Sequence, residues 1–526
     1  MRLFSVVALS AAATWFFWVG AVYIVPGGAN MFFVWADQLF THGTLSPELA
    51  QRDVGFPLLI WLGGLGATGS FRGIALLYAV FGALMPPLVY LTLAPFSRWA
   101  AWFAGLAAIA SCGPWIFGKI MYPDQACVFF STLALCFLAR HLAYGRPVAL
   151  YLFTAATLFL SITRPAMNAV FPCLMLVAIV FGPRTPAKTA SRGRPVRGVS
   201  PSRPVPDAAR KNFRHSVWLH YGICLAVFAA ALVGYHQYRA RVFDVARLGY
   251  TPSYTGEQVF YDPYVNSTDF GIVLGPQLGP AMGIVQQRLI AALTPSPQQS
   301  KLVTDLAAIN PPDFARDNLL LATVDEAMFR IWHQPNYEYA MLIDEAVDDA
   351  TLLAAAGEIA RAHPLYIGAY VIRNAWHFIF EPGFAHTRGN THGYSSTGLD
   401  LFPTGSDLGE IDRFQAADIA LAKQGSDYPN AMAALAHAWR WGYWGFIFAT
   451  SFLMVAGWAV VFAVPFLFTR AFVGAFLAAT GLLLYNALIV SAFADPDIRY
   501  EAMVLVLRAA VAGFAILAAR PRWRLS

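Results

Sequence analysis

Apolar residues in this chain neither alternate nor recur in narrow stripes; they run nearly unbroken for long stretches, ten times over. The runs lie at about 3–25, 73–95, 99–118, 124–140, 147–163, 165–182, 217–237, 441–468, 472–494 and 502–519. Crossing the hydrocarbon core of a bilayer takes roughly 20 apolar residues in helical form. Each run therefore predicts a transmembrane helix, and the fold class is an all-α polytopic membrane protein. The first run follows a short basic start at Arg2. Its length, and the lack of a small-x-small cleavage site, favour a retained anchor over a signal peptide. Between the seventh and eighth runs the pattern changes. Residues 238–440 carry helical periodicity over 313–334 and 344–362, and a Gly/Ser/Thr-rich stretch over 383–409. Two hundred residues with their own apolar positions can bury a core, so a mostly helical domain is expected there. No repeat of 20–50 residues is visible, which argues against a solenoid or propeller.

Composition supports the membrane reading. Of 526 residues, 58% are hydrophobic and 13% charged, against about 25% charged in soluble domains. The abundant Trp, Tyr and Phe suit a chain with many membrane–water interfaces. The five cysteines, Cys112, Cys127, Cys136, Cys173 and Cys224, all sit inside apolar runs. Their spacing suggests neither a metal site nor a disulfide framework, and no cofactor is expected.

Net charge is +6 but unevenly spread. With the N-terminus inside, the cytoplasmic pieces hold Arg2, Arg98, Arg140, Arg146, Arg470, Arg520, Arg522 and Arg524. They also hold 183–216, with nine Lys/Arg against the single acid Asp207. This is the positive-inside pattern, and it puts both termini in the cytoplasm. Segment 238–440 falls outside and is acidic, with 22 of the 30 Asp/Glu and 13 Lys/Arg, a balance of −9. The expected organisation is an N-terminal transmembrane module over 1–182, with a functional first outside loop at 26–72. A basic, Pro/Ser/Arg-rich disordered linker follows at 183–216, then span 7 at 217–237. The periplasmic domain occupies 238–440 and a C-terminal transmembrane module 441–526.

A charge close to the membrane is costly unless it faces a cavity or a partner, which makes acids and arginines at span ends the site candidates. Four groups stand out. The first outside loop carries Asp37 and then Arg52-Asp53-Val54-Gly55-Phe56-Pro57-Leu58. A short turn carries Lys119, Tyr122, Pro123 and Asp124. Arg164 sits in the tight turn Thr163-Arg164-Pro165, and Asp497, Arg499 and Tyr500 lie before the last span. On the assigned topology all four face the same side as the large domain. A carboxylate there can take a proton from an acceptor hydroxyl, and arginines can hold a phosphate through their fork of donors. Interfacial anchoring or helix capping is the plain alternative for any one of them.

These residues carry a family resemblance. The chain resembles the GT-C superfamily of membrane glycosyltransferases, close to the protein O-mannosyltransferases and the bacterial lipid A aminoarabinose transferases, over about residues 1–182 and in scattered pieces later. Asp53-Val54-Gly55-Phe56-Pro57-Leu58 is similar to the family's Asp-Val-His-Pro-Pro-Leu element. Tyr122-Pro123-Asp124 falls where relatives place an acid, and Ser161-Ile162-Thr163-Arg164-Pro165 resembles their Leu-Thr-Arg-Pro turn. Ala362-His363-Pro364-Leu365-Tyr366-Ile367 looks like an amphipathic segment found before the later spans, and Asp497-Ile498-Arg499-Tyr500 like an Arg-Tyr element. The resemblance implies a GT-C-like bundle of about ten spans. It also implies inverting, metal-independent transfer of a sugar from a polyprenyl-phosphate donor to a glycan, lipid or protein acceptor. The family's usual base is an acid early in the first outside loop; without it here, the role falls to Asp53 or Asp124, with Asp53 the first candidate and Asp37 and Asp124 behind it. Arg164, Arg499, Lys119, Tyr122 and Tyr500 would bind the phosphate. The chain departs from the family where an early acid is usual: Gly28 and Ala29 stand there. The implied setting is a bacterial inner membrane.

Two other readings compete. An O-antigen ligase or polymerase type enzyme would use His386, Arg388 and His392 on the acceptor side, although hydrogen-bonded loop roles suit these residues as well. A transporter or flippase would show paired halves with matching broken spans, and Pro86-Pro87 has no counterpart. The missing early acid leaves room for a relative that binds glycolipid without turnover.

Overall fold

The computed structural model describes residues 1–20, 30–43, 53–65, 72–111, 113–116, 123–183, 207–243, 279–281, 283–284, 349–362, 364–380, 430–493 and 498–519. Helix is the only regular secondary structure among them, as the hydrophobic pattern predicts. In chain order the helices are α1 (Arg2–Gly20), α2 (Asn30–Ala36), α3 (Gly55–Ile60), α4 (Arg72–Leu93), α5 (Arg98–Ala110), α6 (Gly113–Ile116), α7 (Asp124–Tyr144) and α8 (Pro147–Thr163). There follow α9 (Val170–Phe181), α10 (Asp207–Phe243), α11 (Asp349–Ala362), α12 (Pro364–Phe380), α13 (Asn430–Ala463), α14 (Arg470–Phe493) and α15 (Ile498–Ala518).

Five segments among the described residues are long and apolar enough to cross a membrane: Gly73–Leu93, Asp124–Tyr144, Val217–Tyr238, Gly445–Ala463 and Arg470–Ile489. This fits a membrane protein. The other apolar runs are helical but shorter. The run at 99–118 is divided, because α5 stops at Ala110 before the brief α6. The run at 165–182 opens with the 3₁₀ turn Pro165–Met167, which leaves the 12-residue α9. At 1.5 Å per residue that helix spans about 18 Å, short of a bilayer core of about 30 Å.

Local sequence explains the key boundaries. Gly145, at φ +67°, ends α7 in the left-handed conformation, and its N–H bonds to His141 O at 2.7 Å. Pro147 opens α8 two residues later. Glycine just past one helix and proline at the start of the next make a tight reversal. Pro165 then disfavours helical geometry at the residue before it, and Arg164 is extended, at φ −150° and ψ 115°. In one respect the linker reading is corrected. Helix α10 begins at Asp207, ten residues inside the segment read as disordered. The helix formers Ala208, Ala209, Arg210 and Lys211 that follow Asp207 outweigh the Pro/Arg-rich composition upstream.

The chain divides into two compact units. The larger comprises 1–249, 379–486 and 498–526; the smaller comprises 250–378 and 487–497. In the larger unit, α15 is the innermost helix, with nearly every side chain from Met503 to Ala518 buried. Gly513 permits its close approach: a Cβ there would lie 2.6 Å from Leu93 Cδ2 and 2.7 Å from Ala104 Cβ. Rings join the other helices, with Phe81 stacked on Phe129 at 4.1 Å between α4 and α7, and Phe171 on Phe228 at 3.9 Å between α9 and α10. Span 217–238 of α10 is only 22% buried, against 72% for the span of α7, so α10 lies at the periphery. Of the four described cysteines, Cys127, Cys136 and Cys224 are buried, while Cys173 is exposed. In the smaller unit, Ala281 N–H donates to Glu358 Oε1 at 3.1 Å.

Candidate active site

Four helix ends meet at one pole of the larger unit: the starts of α3 and α7, the end of α8, and the C-terminal part of α10. Asp124 is the first residue of α7, where a carboxylate suits the helix dipole. It is buried, at 5% side-chain exposure, and Arg164 Nη1 donates to its Oδ1 at 2.5 Å. Arg164 keeps 23% of its side chain exposed, so the pair has a covered carboxylate and an accessible guanidinium. Buried ion pairs offset desolvation only when geometry is good, and here a guanidinium N–H points at the carboxylate in a charge-assisted hydrogen bond.

Asp53 lies two residues before Gly55, which packs against Ile162 and Thr163 of the turn that carries Arg164. It is buried at 7% exposure, and its Oδ1 accepts a hydrogen bond from Tyr235 Oη at 3.2 Å. The same phenol oxygen accepts from Val54 N–H at 3.1 Å. Tyr235 of α10 therefore fixes both the carboxylate and the backbone of the segment that opens α3. Gly55 completes the junction. A Cβ at this position would lie 2.8 Å from both Ile162 O and Thr163 Cα, and closer still to Thr163 Oγ1. Only glycine lets α3 pack directly on the end of α8, beside Arg164. Phe56, fully buried, anchors the turn through an edge contact with Phe32 at 5.1 Å and a stacked contact with Tyr78 at 6.2 Å.

The sequence-predicted residues divide accordingly. Asp124 and Arg164 pair, and Asp53 lies two residues from Gly55, which packs on the turn that carries Arg164. Asp37 lies in the π-helical turn Asp37–Thr41, is half exposed, and faces His42 at 3.5 Å. Arg499 and Tyr500 fall in the first turn of α15, with side chains outside the described residues. Ser131 Oγ and Met503 Sδ are 3.6 Å apart, so the start of α15 lies alongside the start of α7. Lys119, Tyr122, His386, Arg388 and His392 lie outside the described residues. Among the described residues no group of three or more His, Cys, Asp or Glu could hold a metal ion.

Two residues went unnoticed in the sequence. Tyr235 carries no signal beyond being one polar-tipped ring near the end of an apolar run. Arg508 has a signal: it is a single charge in the middle of the last span. It is fully buried, and donates to Ile447 O at 2.8 Å, Ser451 Oγ at 2.6 Å and Thr450 Oγ1 at 3.1 and 3.2 Å. It joins α15 to α13, deep in the bundle.

Comparison with family models, with curated proteins and with solved structures finds no match.

Proposed function

We propose that this protein is a multi-pass membrane glycosyltransferase that moves a sugar from a polyprenyl-phosphate donor to an envelope glycan, lipid or protein on the outer side of a bacterial inner membrane. The observation that carries the reading is the convergence of Asp53, Asp124 and Arg164 at one pole of an apolar helical bundle. Two buried carboxylates and a partly exposed guanidinium suit a reaction that removes a hydroxyl proton and creates a phosphate. In the proposed step Asp53 accepts the proton of the acceptor hydroxyl as its oxygen bonds to the anomeric carbon. The bond from that carbon to the phosphate oxygen breaks, and polyprenyl phosphate leaves with the electron pair. Arg164 stabilises the charge that grows on the leaving group, an interaction stronger in the transition state than in the ground state.

About ten spans, both termini inside and an outside domain between spans 7 and 8 belong to the same proposal. Helix α12 supports it. Leu365, Ile372 and Trp376 are exposed on it while Ala375 and Phe378 are buried, an apolar stripe suited to lying in a membrane interface. The test is a photoreactive polyprenyl-phosphate sugar incubated with the membrane-embedded protein. Cross-links in the peptides containing 53–60 and 160–167 support the reading; cross-links confined to other helices reject it.

A further inference from the structure

We propose that Asp124 is a built-in competitor for the phosphate site at Arg164, whose return to the guanidinium expels the product. This rests on the glycosyl-transfer reading above. Three observations lead to it. Arg164 Nη1 already holds a carboxylate oxygen at 2.5 Å, in the position a phosphate oxygen would take. The carboxylate comes from the covered side, at 5% exposure, whereas the guanidinium keeps 23% exposed, so an incoming anion meets the guanidinium first. Pro165 and the extended backbone at Arg164 set the base of that side chain apart from the helix, which favours redirection of the guanidinium over movement of α8.

The charges of the two ligand states make this useful. A polyprenyl-phosphate sugar is a phosphodiester with one negative charge; the released polyprenyl phosphate is a monoester with close to two. A guanidinium shared with a carboxylate binds the monoanion weakly and gains most as the second charge develops, which places its contribution in the transition state. The same gain would trap the product. A neighbouring carboxylate opposes the dianion by like-charge repulsion and takes its place once it leaves. Asp124 thus lowers affinity for the product without removing the arginine that stabilises its formation.

The experiment measures binding of farnesyl phosphate, a product mimic, with farnesol as the uncharged control. The full chain is held in phosphatidylcholine nanodiscs, so the probe supplies the only phosphomonoester. Asp124→Asn is expected to bind farnesyl phosphate about tenfold more tightly than wild type or tighter, with farnesol unchanged. Asp124→Glu, which keeps the carboxylate, is expected to stay close to wild type. Equal or weaker binding by Asp124→Asn would overturn the proposal and make the pair an architectural clasp. A result in which Asp53→Asn loses transfer but Asp124→Asn binds no tighter defeats this inference alone. Failure of wild type and Asp124→Asn alike to distinguish farnesyl phosphate from farnesol defeats the phosphate-donor reading along with it.

Discussion

Arg164 Nη1 reaches Asp124 Oδ1 at 2.5 Å across forty residues of sequence, closing the end of α8 onto the start of α7. The two partners are not equivalent. Removing the guanidinium strands a carboxylate that is 5% exposed; removing the carboxylate leaves a guanidinium that is 23% exposed. Loss of one partner of a buried pair costs about 3–5 kcal/mol when a charge stays uncompensated. Arg164→Ala is therefore expected to lower thermal stability markedly, and Asp124→Asn much less. The double variant should lose less than the sum of the two. Equal losses in a thermal-shift series would contradict this asymmetry.

The tight fit at Gly55 makes a second prediction. Alanine there must displace the Thr163 backbone or move α3, an overpacking cost of about 1–3 kcal/mol. Gly55→Ala is expected to be destabilised by that amount and to lose transfer, since the same junction holds Asp53 and Arg164. Gly222, in the span of α10, has nothing within 4 Å of an added Cβ. Gly222→Ala is expected to gain up to about 1 kcal/mol from helix propensity.

A third prediction concerns Arg508. Thr450 Oγ1 accepts from both Nε and Nη2 of that buried cation. Valine at 450 keeps the shape and removes that acceptor, and a hydrogen bond to a charged group contributes about 1.5–3 kcal/mol. Thr132 is as buried, but its hydroxyl only bonds back to Val128 O at 2.8 Å. Thermal midpoints should therefore fall clearly in Thr450→Val and little in Thr132→Val.

Orientation is open to direct labelling. In a chain whose five cysteines are replaced, Thr41→Cys and Tyr144→Cys both place a thiol at an exposed position. A membrane-impermeant maleimide added outside intact cells is expected to label position 41 and not position 144. The reverse pattern would invert the proposed topology.

Much of this architecture is written in the sequence because length and hydropathy act locally. A run of twenty apolar residues can satisfy its backbone in a membrane only as a helix, and Gly145, Pro147 and Pro165 mark reversals by chemistry that needs no partner. Asp53, Asp124 and Arg164 were visible as separate charges at span ends. Their lying on one side was expected; which of them pair was not legible, because pairing over forty residues depends on how α7 and α8 pack. Tyr235 was hidden for the same reason: its hydrogen bond to Asp53 spans 182 positions. Arg508 was legible and overlooked, since averaging hydropathy over a window conceals one charge among apolar neighbours. The early start of α10 was obscured by the Pro/Arg-rich residues just before it.

In the proposed reaction a sugar leaves a polyprenyl phosphate at this pole with Asp53 as base. The most direct measurement offers the protein in nanodiscs a panel of radiolabelled polyprenyl-phosphate sugars, with total envelope lipids and glycans as acceptors, and compares wild type with Asp53→Asn. Label is expected to move from one donor to an acceptor in wild type, with transfer reduced by at least about a hundredfold in the variant and its thermal stability close to wild type. Undiminished transfer by Asp53→Asn would remove that residue from the role, and no transfer by wild type from any donor would contradict the account.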